Sequence, residues 1–392
     1  MNKTFATILS GALSGTLLAA SAAHAFQATE HKRLGDEAYV AAIKKFTSER
    51  GKFGLSDAQR LNWSGPGTIY AGTVDPKGEV GYLTFGDLVS IYGDMVASYE
   101  ELNRPQSKAL IAEWRDVART DNLSRNKDVN RREMELAYVN ETHFAGKAVD
   151  AYVAWHQKAL DGAAQGGKNG LWSSLHYEAL ALHSFTDLYA VGHMMIDRDA
   201  TMKLLAAAKA EDKVGYALID DGIKQFFEAN IDLLKGATDE VKGKYLLGFY
   251  ANFYHNGFNY WGAKVSNLNG QTWQAYGDHR LKDSPQHEQI IVTAAAESID
   301  QVLQTAVGKP PAANNRFMAL RYLPVRFTNA ACSVSLQQEQ KTVLNALIKE
   351  NTKIMNDGGI DASLLKKQKV ADGTVAYLAE IKKYCGPSCA GK

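Results

Sequence analysis

The stretch His183-Ser-Phe-Thr-Asp187-Leu-Tyr-Ala-Val-Gly-His193 decides how this chain is read. It has the spacing His-x3-Asp-x5-His inside an apolar, helix-prone segment. On a helix, positions i and i+4 lie one above the other. His183 and Asp187 can therefore reach one point in space, and His193 lies just beyond, past Gly192. Imidazole nitrogen with carboxylate oxygen is the usual ligand set of a hydrolytic zinc ion. Taken alone, the same residues are equally two core histidines and a satisfied Asp, so the remainder of the chain has to separate the two readings.

Working outward, helical spacing dominates. Leu34–Ser48, Thr84–Glu101, Arg131–Asp161, Leu171–Met195, Val214–Leu234 and Asp239–Tyr260 all carry apolar residues at a period near 3.6. Strand-like alternation is scarce, which predicts an all-α protein. Ser64-Gly-Pro-Gly67, Asp75-Pro-Lys-Gly78, Gly162–Gly170 and Asn267–Gly277 read as loops. Arg115–Arg132 is dense in charge and reads as a solvated face or exposed loop. Lys309-Pro310-Pro311 is the best linker, and a polar, helix-prone tail follows it. No internal repeat is visible.

The N-terminus sets the compartment. Lys3, a short apolar run and Ala23-His24-Ala25 form a secretory signal with a small-x-small cleavage site. Cleavage after Ala25 makes Phe26 the first mature residue and places the protein outside the cytoplasm, secreted or periplasmic. No later segment is long and apolar enough to span a bilayer. The 392-residue chain has a formal net charge of +1, with 22% charged and 45% hydrophobic residues. That balance excludes the basic field of a nucleic-acid binder. Cys332, Cys385 and Cys389 all fall near the C-terminus. One disulfide is expected with one thiol left over, and the pairing is open.

Of the ten histidines, His24 leaves with the signal. The others are His31, His143, His156, His176, His183, His193, His255, His279 and His287. Several sit beside apolar or aromatic neighbours, as in Thr142-His143-Phe144 and Tyr254-His255. A buried histidine needs partners, and so many in one domain suggest a polynuclear metal centre. His176 lies seven residues before His183 and fits either a ligand-orienting or a core role. His156 and His287 read as structural or surface, and Glu178 as a ligand's hydrogen-bond acceptor or a solvated helix residue.

The motif His183-x3-Asp187-x5-His193 resembles the core signature of zinc-dependent phospholipase C and of its sister zinc-dependent nucleases and nucleotidases. The resemblance implies a nearly all-α domain, here residues 26–308, with three zinc ions at the bottom of a cleft. Residues 309–392 would then be a C-terminal helical extension without a counterpart. It implies that His183 and Asp187 serve adjacent ions, with Asp187 bridging, and that His193 serves another. The family also uses the mature N-terminal residue, through its amine and carbonyl, with an early histidine; Phe26 and His31 match that role. His143 matches the upstream histidine. For the upstream carboxylate, which would also orient the attacking water, Asp87 and Asp94 compete in Gly86-Asp87-x6-Asp94. The seven-residue spacing puts them on one helix face, and Asp94, preceded by Gly93, is preferred. The third ion is expected on His255 with Asp278, the rival pair being His279 and Asp283. Here the chain departs from the family's His-x3-Glu or His-x3-Asp, because Asn259 follows His255 at +4.

The resemblance further implies hydrolysis of the glycerol-side phosphodiester of a phospholipid, giving diacylglycerol and a phosphorylated head group. His255-Asn-x-x-Asn259-x-x-Gly262 and Gly270-x-x-Trp273-x-Ala-Tyr276-Gly277-Asp278 are similar to the secreted Gram-negative branch. Many nucleases of the group carry a Pro two residues before the second motif histidine, where this chain has Val191. The alternative expectations are a single-strand nuclease or nucleotidase, and an exported protein that binds zinc without catalysis. The aromatic run Phe249–Trp261 suits a lipid-facing wall or plain core packing. No G-x-S-x-G, P-loop or H-E-x-x-H occurs.

Overall fold

The computed structural model describes residues 27–48, 68–69, 83–120, 129, 132, 136, 140–211, 255, 258–259, 262–277, 280–327 and 374–385. Phe26 and the signal, Asp278, His279, Cys332, Cys389 and nearly all of the two helices expected between 214 and 260 lie outside these residues. The chain is mostly helical with little sheet.

The first described helix, α1, is Ala28–Ser48. A short ladder, β1 (Thr68–Ile69) against β2 (Leu83–Thr84), leads into α2, Phe85–Ile91. Helix α3 is Tyr99–Leu102 and α4 is Ser107–Thr120. Next come α5 (Ala145–Ala164), α6 (Gly167–Asp187), α7 (Val191–Met195) and α8 (Arg198–Glu211). Then follow β3 (Ala263–Ser266), β4 (Thr272–Ala275), α9 (Pro285–Ala306), β5 (Arg326–Phe327) and α10 (Thr374–Cys385).

Helix α6 is the axis of the fold. It pairs most extensively with α5 and is also packed by α1, α2 and α9. Every residue from Glu178 to Ile196 is buried. A helix buried on all sides is a core helix rather than an amphipathic surface one, so any polar group it carries must find partners inside. Leu182, Phe185 and Leu188 meet this core with Tyr152 of α5, Phe85 and Val89 of α2, and Ile299 of α9.

Several boundaries differ from the sequence expectation. The segment expected as one helix, Thr84–Glu101, stops at Ile91, where the C-cap residue Tyr92 is extended and Gly93 takes φ +86°. Asp87 and Asp94 therefore do not share a helix face. The helix expected from Leu171 to Met195 breaks after Asp187 and restarts at Val191. Among the described residues of Arg131–Asp161, a 3₁₀ turn at Glu141–His143 precedes α5, with Phe144 extended between them. Gly162–Gly170 is not a loop throughout: α5 runs to Ala164, and Gly166, at φ +70°, makes the turn into α6. Asn267–Gly277 contains a strand. Val265 faces Trp273 across an antiparallel pair, and Asn267 Oδ1 closes the turn by accepting the backbone N–H groups of Asn269 and Gln271, both at 3.0 Å. Four-residue strands are too short to announce themselves by alternation.

Segments beyond Lys309 pack onto the helices before it. β5 adds to the free edge of β3, Val265 opposite Phe327. Helix α10 lies on α5 and also touches α7. Its Tyr377 is fully buried, and Gly146 of α5 comes so close that a Cβ there would lie 3.0 Å from the carbonyl oxygen of Ala376.

Candidate metal centre

The break after Asp187 builds the site. Leu188, Tyr189 and Ala190 form a tight turn, with the Ala190 N–H donating to the Asp187 carbonyl at 2.9 Å. Helix α7 then folds back, bringing His193 towards the end of α6. His183 Nε2 lies 3.7 Å and His193 Nδ1 3.9 Å from Asp187 Oδ2. Two other segments reach the same carboxylate. His143, in the 3₁₀ turn before α5, puts Nδ1 at 2.9 Å from Oδ2. His31, in the first turns of α1, puts Nε2 at 3.2 Å from Oδ1. Four imidazoles thus surround one buried carboxylate.

Asp94 comes in on the strap after α2, its Oδ1 3.7 Å from His183 Nε2. Two ligand groups result, His31 with Asp94 and His183, and His143 with Asp187 and His193. Within each, the ligand atoms lie within 4.8 Å of one another, and all six residues are buried. The strap can run this close because residue 93 is glycine: a Cβ there would sit 2.4 Å from His183 Nε2 and 3.0 Å from His143 Cε1.

The far side of three rings is held by hydrogen bonds that set the tautomer. His183 Nδ1 donates to the Val89 carbonyl at 2.8 Å, and His193 Nδ1 to the His143 carbonyl at 2.7 Å. Thr186 Oγ1 gives its own hydrogen to the Leu182 carbonyl at 2.8 Å, so it accepts from His31 Nδ1 at 3.0 Å. Each ring thereby turns an unprotonated Nε2 inward, as a metal ligand requires. His193 Nε2 is buried without a hydrogen-bond partner.

The charge states agree. Burial alone would raise the Asp187 carboxyl, but His183 and His143 hold it well below the usual carboxylate range. Burial pushes His183 down to about 4 and His193 well below its ordinary value. Neutral His183 and His193 beside an anionic carboxylate are in the state that binds a metal ion without first shedding protons. The buried His/Asp clusters fit a metal ion in ligand type, tautomer and convergence.

The other candidates fall elsewhere. Asp87 is the N3 residue of a capping box on α2, exchanging hydrogen bonds with Thr84 at 2.8 and 3.0 Å. Arg119 Nη2 at 2.5 Å and Lys32 Nζ at 3.4 Å neutralise it. Part of the charged stretch from Arg115 is thus an anchor rather than a solvated face. Asp283 is exposed and pairs with Arg280 at 2.8 Å, outside both ligand groups. His255 is buried with its ring 4.6 Å from that of His193. Phe144 stacks on His193 at 4.0 Å and shields it.

His176 supports the strap from below: its Nδ1 lies 2.8 Å from the Tyr92 hydroxyl, two residues before Asp94. Burial pushes His176 down to about 3, so it stays neutral. His156 bonds Glu178 at 2.7 Å in the core, so Glu178 is not a solvated residue. His287 is a core residue beside Tyr189 and Trp273. Spacing alone did not reveal Thr186, the Val89 carbonyl or Gly93 as parts of the site. Gly93 left one signal, a glycine immediately before the preferred Asp.

No family model matches this chain, and neither a curated protein nor a solved structure matches it.

Proposed function

We propose that this protein is an exported, zinc-dependent phosphodiester hydrolase acting as a phospholipase C. The observation that carries the reading is the convergence of His31, His143, His183 and His193 on Asp187 at 2.9–3.9 Å, with Asp94 beside His183. Imidazole and carboxylate donors select zinc over harder cations such as calcium and magnesium. His31, Asp94, His143, His183, Asp187 and His193 would hold the metal. When bound, zinc supplies a Lewis acid that acidifies water and takes up charge from the phosphodiester.

The chain's own residues do the remainder. Asp187 joins the two ligand groups and keeps its negative charge between them. Asp94 faces His183 from the strap and is placed to orient a water or take its proton. Phe144, lying flat on His193, keeps bulk water off that side. Thr186 and the Val89 and His143 carbonyls hold the rings in place, so little reorganisation is needed when substrate binds. No helix among the described residues is long and apolar enough to cross a membrane. The substrate would therefore be met at a lipid surface rather than from within a bilayer.

The test is side by side. Mature protein with zinc should release diacylglycerol from phosphatidylcholine or phosphatidylethanolamine vesicles and leave single-stranded DNA intact. Cleavage of nucleic acid alone would make it a nuclease. Absence of zinc from folded mature protein would end the reading.

A further inference from the structure

The sequence resemblance implies a third ion on His255 with Asp278; Asp278 lies outside the described residues, and the described residues about His255 fit that ion poorly. Three observations bear on it. First, His193 belongs to the ligand group of His143 and Asp187. Second, where a carboxylate would follow His255 at +4, Asn259 donates: its Nδ2 lies 3.0 Å from His255 Nε2. An amide NH₂ has no lone pair to offer, so the imidazole nitrogen must be the acceptor. Third, the amide cannot be flipped. Asn259 Oδ1 accepts the Gly192 N–H at 2.6 Å, a backbone donor that tolerates only oxygen at that position.

The surroundings enforce this arrangement. A Cβ on Gly192 would lie 2.5 Å from the His255 carbonyl oxygen and 2.8 Å from Asn259 Oδ1. A Cβ on Gly277 would lie 2.1 Å from the same Oδ1. The Asn259 side chain is therefore clamped between two glycines. It ties the residue before His193 to the ring of His255.

We propose that this chain holds two zinc ions, not three, and that His255 and Asn259 form a lock that positions the His193 turn. The inference rests on the zinc reading above. Replacing the amide by the isosteric carboxylate removes the donor on His255 Nε2, keeps an acceptor for Gly192 and adds an anionic ligand. It should open the third position.

The experiment measures zinc per chain by elemental analysis after dialysis of the full mature protein, for wild type, Asn259→Asp and His255→Ala. Two ions in wild type and three in Asn259→Asp are expected, with His255→Ala keeping capacity for two but releasing the one on His193 more readily to a chelator. Three ions in wild type, no gain in Asn259→Asp, or chelator release in His255→Ala unchanged from wild type overturns the proposal while leaving the zinc hydrolase standing. Wild type without zinc overturns both.

Discussion

At the scale of single residues, one carboxylate decides the site. Asp187 has four imidazoles about it, and in the proposed site its charge holds the ligand groups together. Asp187→Asn keeps the shape and removes the charge. Losing even an outer partner of a metal ligand costs about 10- to 100-fold in affinity or activity. Asp187→Asn should therefore lower zinc content and cut hydrolysis by at least about 100-fold, read by elemental analysis and a lipid assay. Full zinc content would remove Asp187 from the ligand set. Asp87→Asn is the matching control. It weakens a capping box and an ion pair with Arg119, whose side chain is 37% exposed, so the expected cost is about 1–2 kcal/mol of stability with zinc unchanged. A third change isolates the strap: Gly93→Ala would drive a Cβ onto His183 at a φ of +86°. It should weaken zinc binding more than about 10-fold in a chelator competition, since rings displaced from their set positions lose affinity.

At the scale of elements, α5, α6 and α9 are joined by a buried polar layer outside the two candidate ligand groups. His156 bonds Glu178 at 2.7 Å and Gln301 at 3.1 Å, while Ser298 donates to Glu178 at 2.5 Å. Burial alone would lower His156, but the Glu178 carboxylate carries it above its ordinary 6.5. A group raised in the folded state binds its proton more tightly there than in the unfolded chain. The stability it adds is complete below the unfolded value and is lost as pH rises through the folded one. Thermal stability should fall on raising the pH above about 6.5, and His156→Gln should flatten that fall. An unchanged slope would show that the pair does not titrate in this range. The same elements show what could be read in the chain. Periodicity placed helices within Leu34–Ser48, Thr84–Glu101, Arg131–Asp161 and Leu171–Met195 but missed the one at Pro285–Ala306, and the His-x3-Asp pair came out on one face as spacing requires. The breaks were not legible, because Ile91 to Asp94 and Asp187 to Val191 are apolar enough to continue a helix on pattern alone. What ends them is tertiary: Gly93 must pass against two rings, and α7 must turn back to bring His193 inward. His31 and His143 could be nominated only by resemblance, since contacts across 40 or more residues leave no local periodicity.

At the scale of the molecule, the centre is also a fastening. His31 comes from the first described helix, Asp94 from the strap after α2, His143 from the turn before α5, and His183, Asp187 and His193 from the motif. A metal ion here would tie the first described helix to the middle of the chain, and α10 packs on α5. Without metal, a fully buried carboxylate and buried imidazoles face one another with their water stripped away, which is costly. Ligands that bind only the folded state stabilise it by mass action, about 4 kcal/mol when present at a thousand times their dissociation constant. Chelation should therefore lower the melting temperature by several degrees, and zinc should restore it. Because affinity requires unprotonated imidazoles, and burial holds His183 down to about 4 and His193 well below its ordinary value, the restoration by zinc should persist at pH 5.5. Calorimetry with and without chelator at pH 7.5 and 5.5 measures both effects. A melting temperature indifferent to chelator at pH 7.5 would mean that packing among α1, α5, α6 and α9 holds these six side chains together unaided, and that the centre fastens nothing.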